Sequence, residues 1–585
     1  MKASTRVRLV ATGGAVALAI TACSGASSGG SGKKAQSPTK TQAQKFLIDD
    51  KATGPAPAIP GAKTGGKVTV LERDDFSHLD PARIYVNNNQ AISEMVERQL
   101  NTYVEKNGTI TLVGDLATNT GETKDGGKTW TYHLRDGIAF QDGNPITSAD
   151  IQYGVERGFD PAYTEGPTYI YSWLAGKKYA SDFHKLYTPG KGDVPGITTP
   201  DPKTIVFTFD QPRPDMPFAA ALTTTSPVQK SKDTGAKYDL KPQATGPYMI
   251  SEHTVDKSLT LVKNPKWDPK SDPARYQLID EYDVQFGTEP LAINNRLIAA
   301  NGADATAMTI SAVISPEILQ KVDTTPALKS HTVEGSTAFV EQFNINNTRI
   351  PDVAVRKALV TAFPTYQTRL ILGGPSAGDY ASTVSSPTLP GYESFDLYGQ
   401  LKHPEGQPEV AKKMLTAANK LGQTIVYAYP QTPRQEQVAV AVVTGLEKAG
   451  FKVVKKPIDS KTYYDEIGKV KNTFDLYAGG WGADWPSGAT VFPPTIDGRQ
   501  IFDGSANYEH FKDPAVNAEI DRISLETDLV RAGKDWAALD KKVMEQAPYI
   551  PWLYDKSYQL YGSGLGNVTL SNVLGNVSLN GVYIK

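Results

Sequence analysis

The chain has 585 residues, 39% hydrophobic and 21% charged, an ordinary globular composition with room for about three or four domains. Its 61 Lys+Arg against 63 Asp+Glu leave a formal net charge of -2, which excludes a global field suited to nucleic acid or to an acidic membrane surface. One cysteine excludes an internal disulfide and a cysteine-built zinc site, and 28 tyrosines against 7 histidines favour stacking and hydroxyl contacts over a histidine-built metal site.

Lys2, Arg6 and Arg8 precede an apolar run over 9–20, too short to span a bilayer comfortably but right for the h-region of a secretory signal. The run ends in Ile20-Thr21-Ala22-Cys23, which resembles a bacterial lipobox: a signal peptide 1–22 and a diacylglyceryl anchor on Cys23 are expected. No twin-arginine pair is present, so export by the general secretory route is expected. Residues 24–60 are rich in Gly, Ser, Ala, Lys and Pro without an apolar period, which predicts a flexible tether reaching roughly 35 Å.

Gly65-Gly66 opens the folded part with a strand over 67–71. Ala91, Met95, Val96 and Leu100 come next at helical spacing, and Asn107-Gly108 predicts a tight hairpin turn of type I′. Trp130, Tyr132 and Leu134 alternate with polar residues as in a strand. Thr147 or Ser148 can cap a helix through Arg157, with Asp150 in its first turn. Strands are predicted over 204–209, 248–250 and 259–262. Asp352 caps a helix stopped by Pro364, and Pro408 starts another. Residues 424–429, a helix over 434–449 and residues 451–454 read as a βαβ unit.

The stretch FDLYAGGWGADWP (474–486) is the candidate site. Phe474, Leu476 and Ala478 alternate as in a short strand; the glycines, Gly480 among them, are expected to break it, and Trp481 and Trp485 bracket Asp484. A strand ending in a Gly loop is where ligands meet an open α/β sheet, and two indoles beside one carboxylate suit a small amphiphile with a positive end. In the plain structural alternative both tryptophans are core and Asp484 caps a turn.

The segment 112–158, with GKTWTYHLRDGIAFQDGNPITSADIQYGVERG, resembles the signature region of the family 5 extracellular solute-binding proteins, the oligopeptide- and dipeptide-binding type that serve ABC importers. DPKTIVFTFDQPRPDMPF, ATGPYMISEHTVDKSLTLVKNPKW, FNINNTRIPDVAVRKALVTAF, FDLYAGGWGADWP and APYIPWLY occur after it in the family's order. The resemblance implies an α/β, two-lobed periplasmic-binding-protein fold of type II, cluster C, with an extra domain inserted in the first lobe. Carried onto this chain, after the lipidated cysteine and tether (23–64), lobe I is 65–112, 236–331 and 551–585, the insert is 113–235, and lobe II is 332–550. It also implies a receptor, not an enzyme, with a small-molecule or peptide ligand, an ABC permease and its ATPase as partners, a monomeric state, no cofactor, no metal and no nucleic acid. Localisation would be the extracytoplasmic face of the cell membrane.

In peptide-binding members an aspartate of this loop pairs with the ligand's α-ammonium, and Asp484 matches it. Trp481 would lie over the ligand and Trp485 support it. Some members carry an arginine shortly before the tryptophan, where this chain has Tyr477 and Ala478. Arg434 lies near where dipeptide binders place a carboxylate-binding arginine, and an exposed helix residue is the other reading of it. Oligosaccharide or metal-chelate binding, and a sensing lipoprotein without transport, are alternatives on the same fold. Gly374-Pro375-Ser376-Ala377-Gly378 matches the G-x-S-x-G elbow of serine esterases, but the residues after it have no helical period, so Ser376 is not expected to be a nucleophile.

Overall fold

Two long strands, Thr332–Ile345 and Tyr549–Leu560, run antiparallel side by side and pass from one hydrophobic core to another. The structure, a computed structural model, describes residues 45–163, 166–176, 183–186, 194–460 and 462–585. The signal segment, Cys23 and the tether up to residue 44 lie outside these residues. At one end of the strand pair Tyr558 and Leu560 pack with Leu71, Ile293 and Leu297. At the other end Phe343, Ile345, Ile550 and Trp552 pack with Tyr427, Val442 and Leu446. Between the two, Ser336 faces Lys556 and Val340 faces Tyr554, so Thr337, Ala338 and Phe339 bulge out of the ladder. Pro551, where a lobe border is expected, is paired with Gln342 within strand Tyr549–Leu560.

The first sheet has the order Ala307–Met308, Lys67–Leu71, Glu281–Gln285, Ser258–Lys263, Tyr248–Thr254. Lys67–Leu71 is parallel to both its neighbours and four of its five residues are buried, the pattern of a central strand covered on both faces. The second sheet is six-stranded, in the order Gly378–Tyr380, Tyr549–Leu560, Thr332–Ile345, Leu476–Gly482, Thr424–Pro430, Lys452–Ile458. Its outer part is the predicted βαβ unit, with helix Pro433–Lys448 joining the parallel strands Thr424–Pro430 and Lys452–Ile458. A third, three-stranded sheet joins Thr129–His133, Thr204–Thr208 and Ile197–Asp201 over a core that includes Tyr132, Phe207, Ile151 and Val155. Helix Ser148–Arg157 begins there in a capping box, Thr147 and Asp150 each bonding the other's backbone end.

Local expectations at turns and caps hold. Asn107 and Gly108 both have positive φ, 50° and 71°, between the paired strands Asn101–Lys106 and Thr109–Gly114. Asp352 accepts a hydrogen bond from the Ala354 amide at the start of Val353–Ala362. The tether expected over 24–60 is corrected in its second half. Lys45–Asp49 is a strand parallel to Thr109–Gly114, Phe46 lies 5.3 Å from Phe218 between ring centroids, and Asp50 accepts from the Thr120 amide at 3.2 Å. A strand added to the edge of a hairpin takes its hydrogen bonds from a distant partner, so it needs no apolar period of its own. The G-x-S-x-G stretch is also placed: Gly374–Ser376 is a short 3-10 turn after helix Thr365–Ile371 and before strand Gly378–Tyr380, the reverse of the strand-to-helix order an esterase elbow requires. Among the described residues no helix is long and apolar enough to cross a membrane.

Candidate functional site

The strand Leu476–Gly482 lies between Thr332–Ile345 and Thr424–Pro430, near the middle of the second sheet. Contrary to expectation its glycines do not break it: pairing with Thr332–Ile345 runs on from Leu476 to Gly482. The reason lies across the ladder, where the Phe339 ring occupies the space a Cβ at Gly480 would need and also lies against Gly482. Glycine here admits a phenyl ring onto the strand rather than turning it.

A cleft of about 800 Å³ opens beside the end of this strand. One wall is formed by Tyr85, residues of helix Asn87–Val96, Thr102, Tyr103 and the segment 571–575. Gly480 to Asp484, Tyr464 and Tyr508 form the other, and the bulged residues 337–339 and Asp555 join the two. Gly480, Trp481 and Asp484 are thus brought together on the cleft, as the sequence suggested. Trp481 is held in place by a hydrogen bond from Nε1 to the Thr490 carbonyl at 2.7 Å. Asp484 accepts hydrogen bonds from the hydroxyls of Tyr85, at 3.2 Å, and of Tyr169. Burial pushes its carboxyl up to about 6 against the pull of those two phenols, and among the described residues no Lys or Arg is paired with it.

Three expected site residues lie elsewhere. Trp485 is 2% exposed and points away from the cleft into the core over the third sheet, where Nε1 donates to Asp215 at 3.0 Å and the indole packs edge-on against Tyr169 and Trp173. An indole's large apolar face is best satisfied in a core, with its one N–H matched to one acceptor. Tyr477 is fully buried; its hydroxyl donates to the Tyr508 carbonyl and its ring packs with Tyr463 and Ala428. Arg434 is exposed in the first turn of helix Pro433–Lys448 and does not line the cleft. Cys23 lies outside the described residues.

Sequence reasoning missed Tyr85 and Tyr169, 399 and 315 residues before Asp484, and the tyrosines 464 and 508. It also missed Arg275 on the cleft wall. That guanidinium is 2% exposed and bound to Asp115 at 2.8 Å and Asp272 at 3.3 Å, so its charge is neutralised within the protein. No local pattern marks these residues; their meeting is a product of the fold.

Residues 111–502 match the family described as bacterial extracellular solute-binding proteins, family 5. The probable deoxycholate-binding periplasmic protein YgiS of Escherichia coli (strain K12) is 25% identical over 484 residues, 79% of this chain and 84% of that protein. The periplasmic murein peptide-binding protein MppA of the same organism is 26% identical over 493 residues, 82% of this chain and 86% of its own length. Among solved structures, the clavulanic acid biosynthesis oligopeptide binding protein 2 is 29% identical, with a TM-score of 0.83 over 92% of this chain and 99% of that one. The fold and cleft therefore define a two-lobed solute receptor. The chain belongs to the family 5 bacterial extracellular solute-binding proteins.

Proposed function

We propose that this protein captures a peptide in the cleft by its α-ammonium and delivers it to an ABC permease. The carrying observation is Asp484: a carboxylate on the cleft wall, held by two phenols and, among the described residues, left without a cation. In a desolvated cleft an ammonium would be bound strongly there, because its attraction is little screened. Trp481 supplies the apolar surface beside it. Closure about the strands Thr332–Ile345 and Tyr549–Leu560 is the mechanism, since a ligand that touches both walls shifts the population toward the closed form. A lipid on Cys23 would hold the receptor, as a monomer, at the outer face of the membrane beside the permease and its ATPase.

The cleft's charge argues against an anionic ligand such as a bile acid, for Glu94, Glu105, Asp484 and Asp555 line it against Arg275, whose charge is already matched. Among the described residues no three His, Cys, Asp or Glu side chains come together to hold a metal. Calorimetry with tri- and tetrapeptides tests the reading. A free-amine peptide is expected to bind, and its N-acetylated form to bind at least about tenfold more weakly, the scale of one charge-assisted hydrogen bond. Equal binding of both forms would remove Asp484 from ligand recognition.

A further inference from the structure

Beyond Asp484, two further acids at the cleft, one lining it and one on the strand beside it, have no counter-cation among the described residues. Glu341 lies on strand Thr332–Ile345 directly opposite Gly480, and Asp555 lies on the neighbouring strand Tyr549–Leu560, facing the bulge. Side chains alternate along a strand, so Glu341 shares a face with Phe339, a cleft residue. Its charge is also felt by Tyr464, another cleft residue. Among the described residues the Glu341 side chain has no hydrogen-bond or ion-pair partner, and Asp555 accepts from the Thr337 hydroxyl at 3.1 Å. The nearest lysine in sequence, Lys556, is bound to Asp379 at 3.1 Å instead. Burial pushes both carboxyls up, Asp555 to about 6 and Glu341, with the Asp555 charge beside it, to about 8.

The other acids on the cleft wall differ from this pair. Glu105 is tied to Ser571, Asn572 and Val573, and Glu94 to Ser578. Tyr464 is near enough to Glu341 to be affected by its charge and is 55% exposed although it lines the cleft, and Tyr508, also a cleft residue, lies against it with ring centroids 6.2 Å apart. An aromatic pair, Tyr464 exposed and Tyr508 half-buried, next to two acids without a built-in counter-cation is the arrangement that recognises an organic cation by stacking and charge together, the cation drawing the proton off Glu341 as it binds. Gly480, opposite Glu341, is four residues from Asp484, a separation of at most about 13 Å at the rise of a strand.

We propose that Glu341, Asp555, Tyr464 and Tyr508 form a second subsite that takes the guanidinium or ammonium of a basic side chain, so that the receptor selects peptides with an Arg or Lys near their amino end. This rests on the proposed capture of a peptide at Asp484 and goes further, because it names the ligand class. The spacing puts the basic residue at position two or three of the peptide.

The test is calorimetry with alanine tetrapeptides carrying one arginine at position two or three, each matched to a neutral citrulline counterpart. At one position the arginine peptide is expected to bind at least about tenfold more tightly than its citrulline match, a preference of about 1.4 kcal/mol. Glu341→Gln and Asp555→Asn should each bring that ratio toward one, whereas Asp484→Asn should weaken both members of the pair and keep the ratio. If one of the two subsite variants does not fold, the other carries the test. Equal affinity for arginine and citrulline at every position overturns the second subsite while leaving peptide capture standing, as does a ratio that survives both subsite substitutions. Failure of every peptide to bind overturns both readings.

Discussion

Asp272 and Asp484 are both carboxylates removed from water, yet they are set in opposite directions. Asp272 lies in a closed cluster with Arg98, Arg275 and Asp115; Arg98 approaches Asp115 at 2.7 Å and Arg275 approaches it at 2.8 Å. Despite its burial, the two guanidiniums beside Asp272 hold its carboxyl at about 2. Asp484, with phenols and no guanidinium, rises to about 6. The difference teaches where to look for a ligand. A buried acid whose counter-cation is built into the chain is holding the fold, and one that lines a cleft without a counter-cation is placed to receive it from outside.

Breaking the cluster gives the largest expected effect. Arg275→Met leaves Asp115 and Asp272 buried with half of their positive charge gone, and should lower the unfolding free energy by about 3–5 kcal/mol, read from the denaturant midpoint. At the cleft the outcome should be the reverse. Asp484→Asn should weaken a free-amine peptide by about 1.5–3 kcal/mol in calorimetry while the ligand-free protein unfolds at no lower temperature.

Acidity sharpens the same contrast. Asp484 titrates near 6 in the fold against a usual value of about 3.9, so the stability it contributes is fully present below about pH 4 and is lost as pH rises through 6. Asp540, pushed up to about 7 by burial, acts in the same direction. Asp272 acts oppositely: its contribution is present above about pH 4 and lost as pH falls through 2. Thermal melts of the free protein should therefore decline between pH 4 and 7, and Asp484→Asn should flatten part of that decline. Peptide affinity should fall as pH drops from 7 to 5 and Asp484 gains its proton. The smallest effect is expected at Arg434. Arg434→Ala should leave both stability and peptide affinity within about 0.5 kcal/mol of the parent, because this side chain is exposed on a helix away from the cleft.

Much of the architecture was legible because it is written in local rules. The βαβ unit over 424–458, the Asn107-Gly108 hairpin and the caps at Thr147 and Asp352 follow from period, turn chemistry and capping, which act within a few residues. The candidate site was half legible. Trp481 and Asp484 stand on the cleft, but Trp485, next in sequence, faces the core of the third sheet. No local rule separates two adjacent residues that leave a strand on opposite sides. Tyr477 and Arg434 fell away for the same kind of reason: a buried strand residue and an exposed helix residue can be told from cleft residues only by what packs against them.

By itself the sequence determined the family, the order of the elements and the one carboxylate flanked by indoles, because these depend on the identity and spacing of neighbouring residues. Tertiary structure decided which acids are compensated and which are not. The partners of Asp484 come from 399 and 315 residues away, and Glu341 comes under the charge of Asp555 only because two strands far apart in the chain pair beside a bulge. Charge compensation acts through space, so it can be read only once the chain has folded.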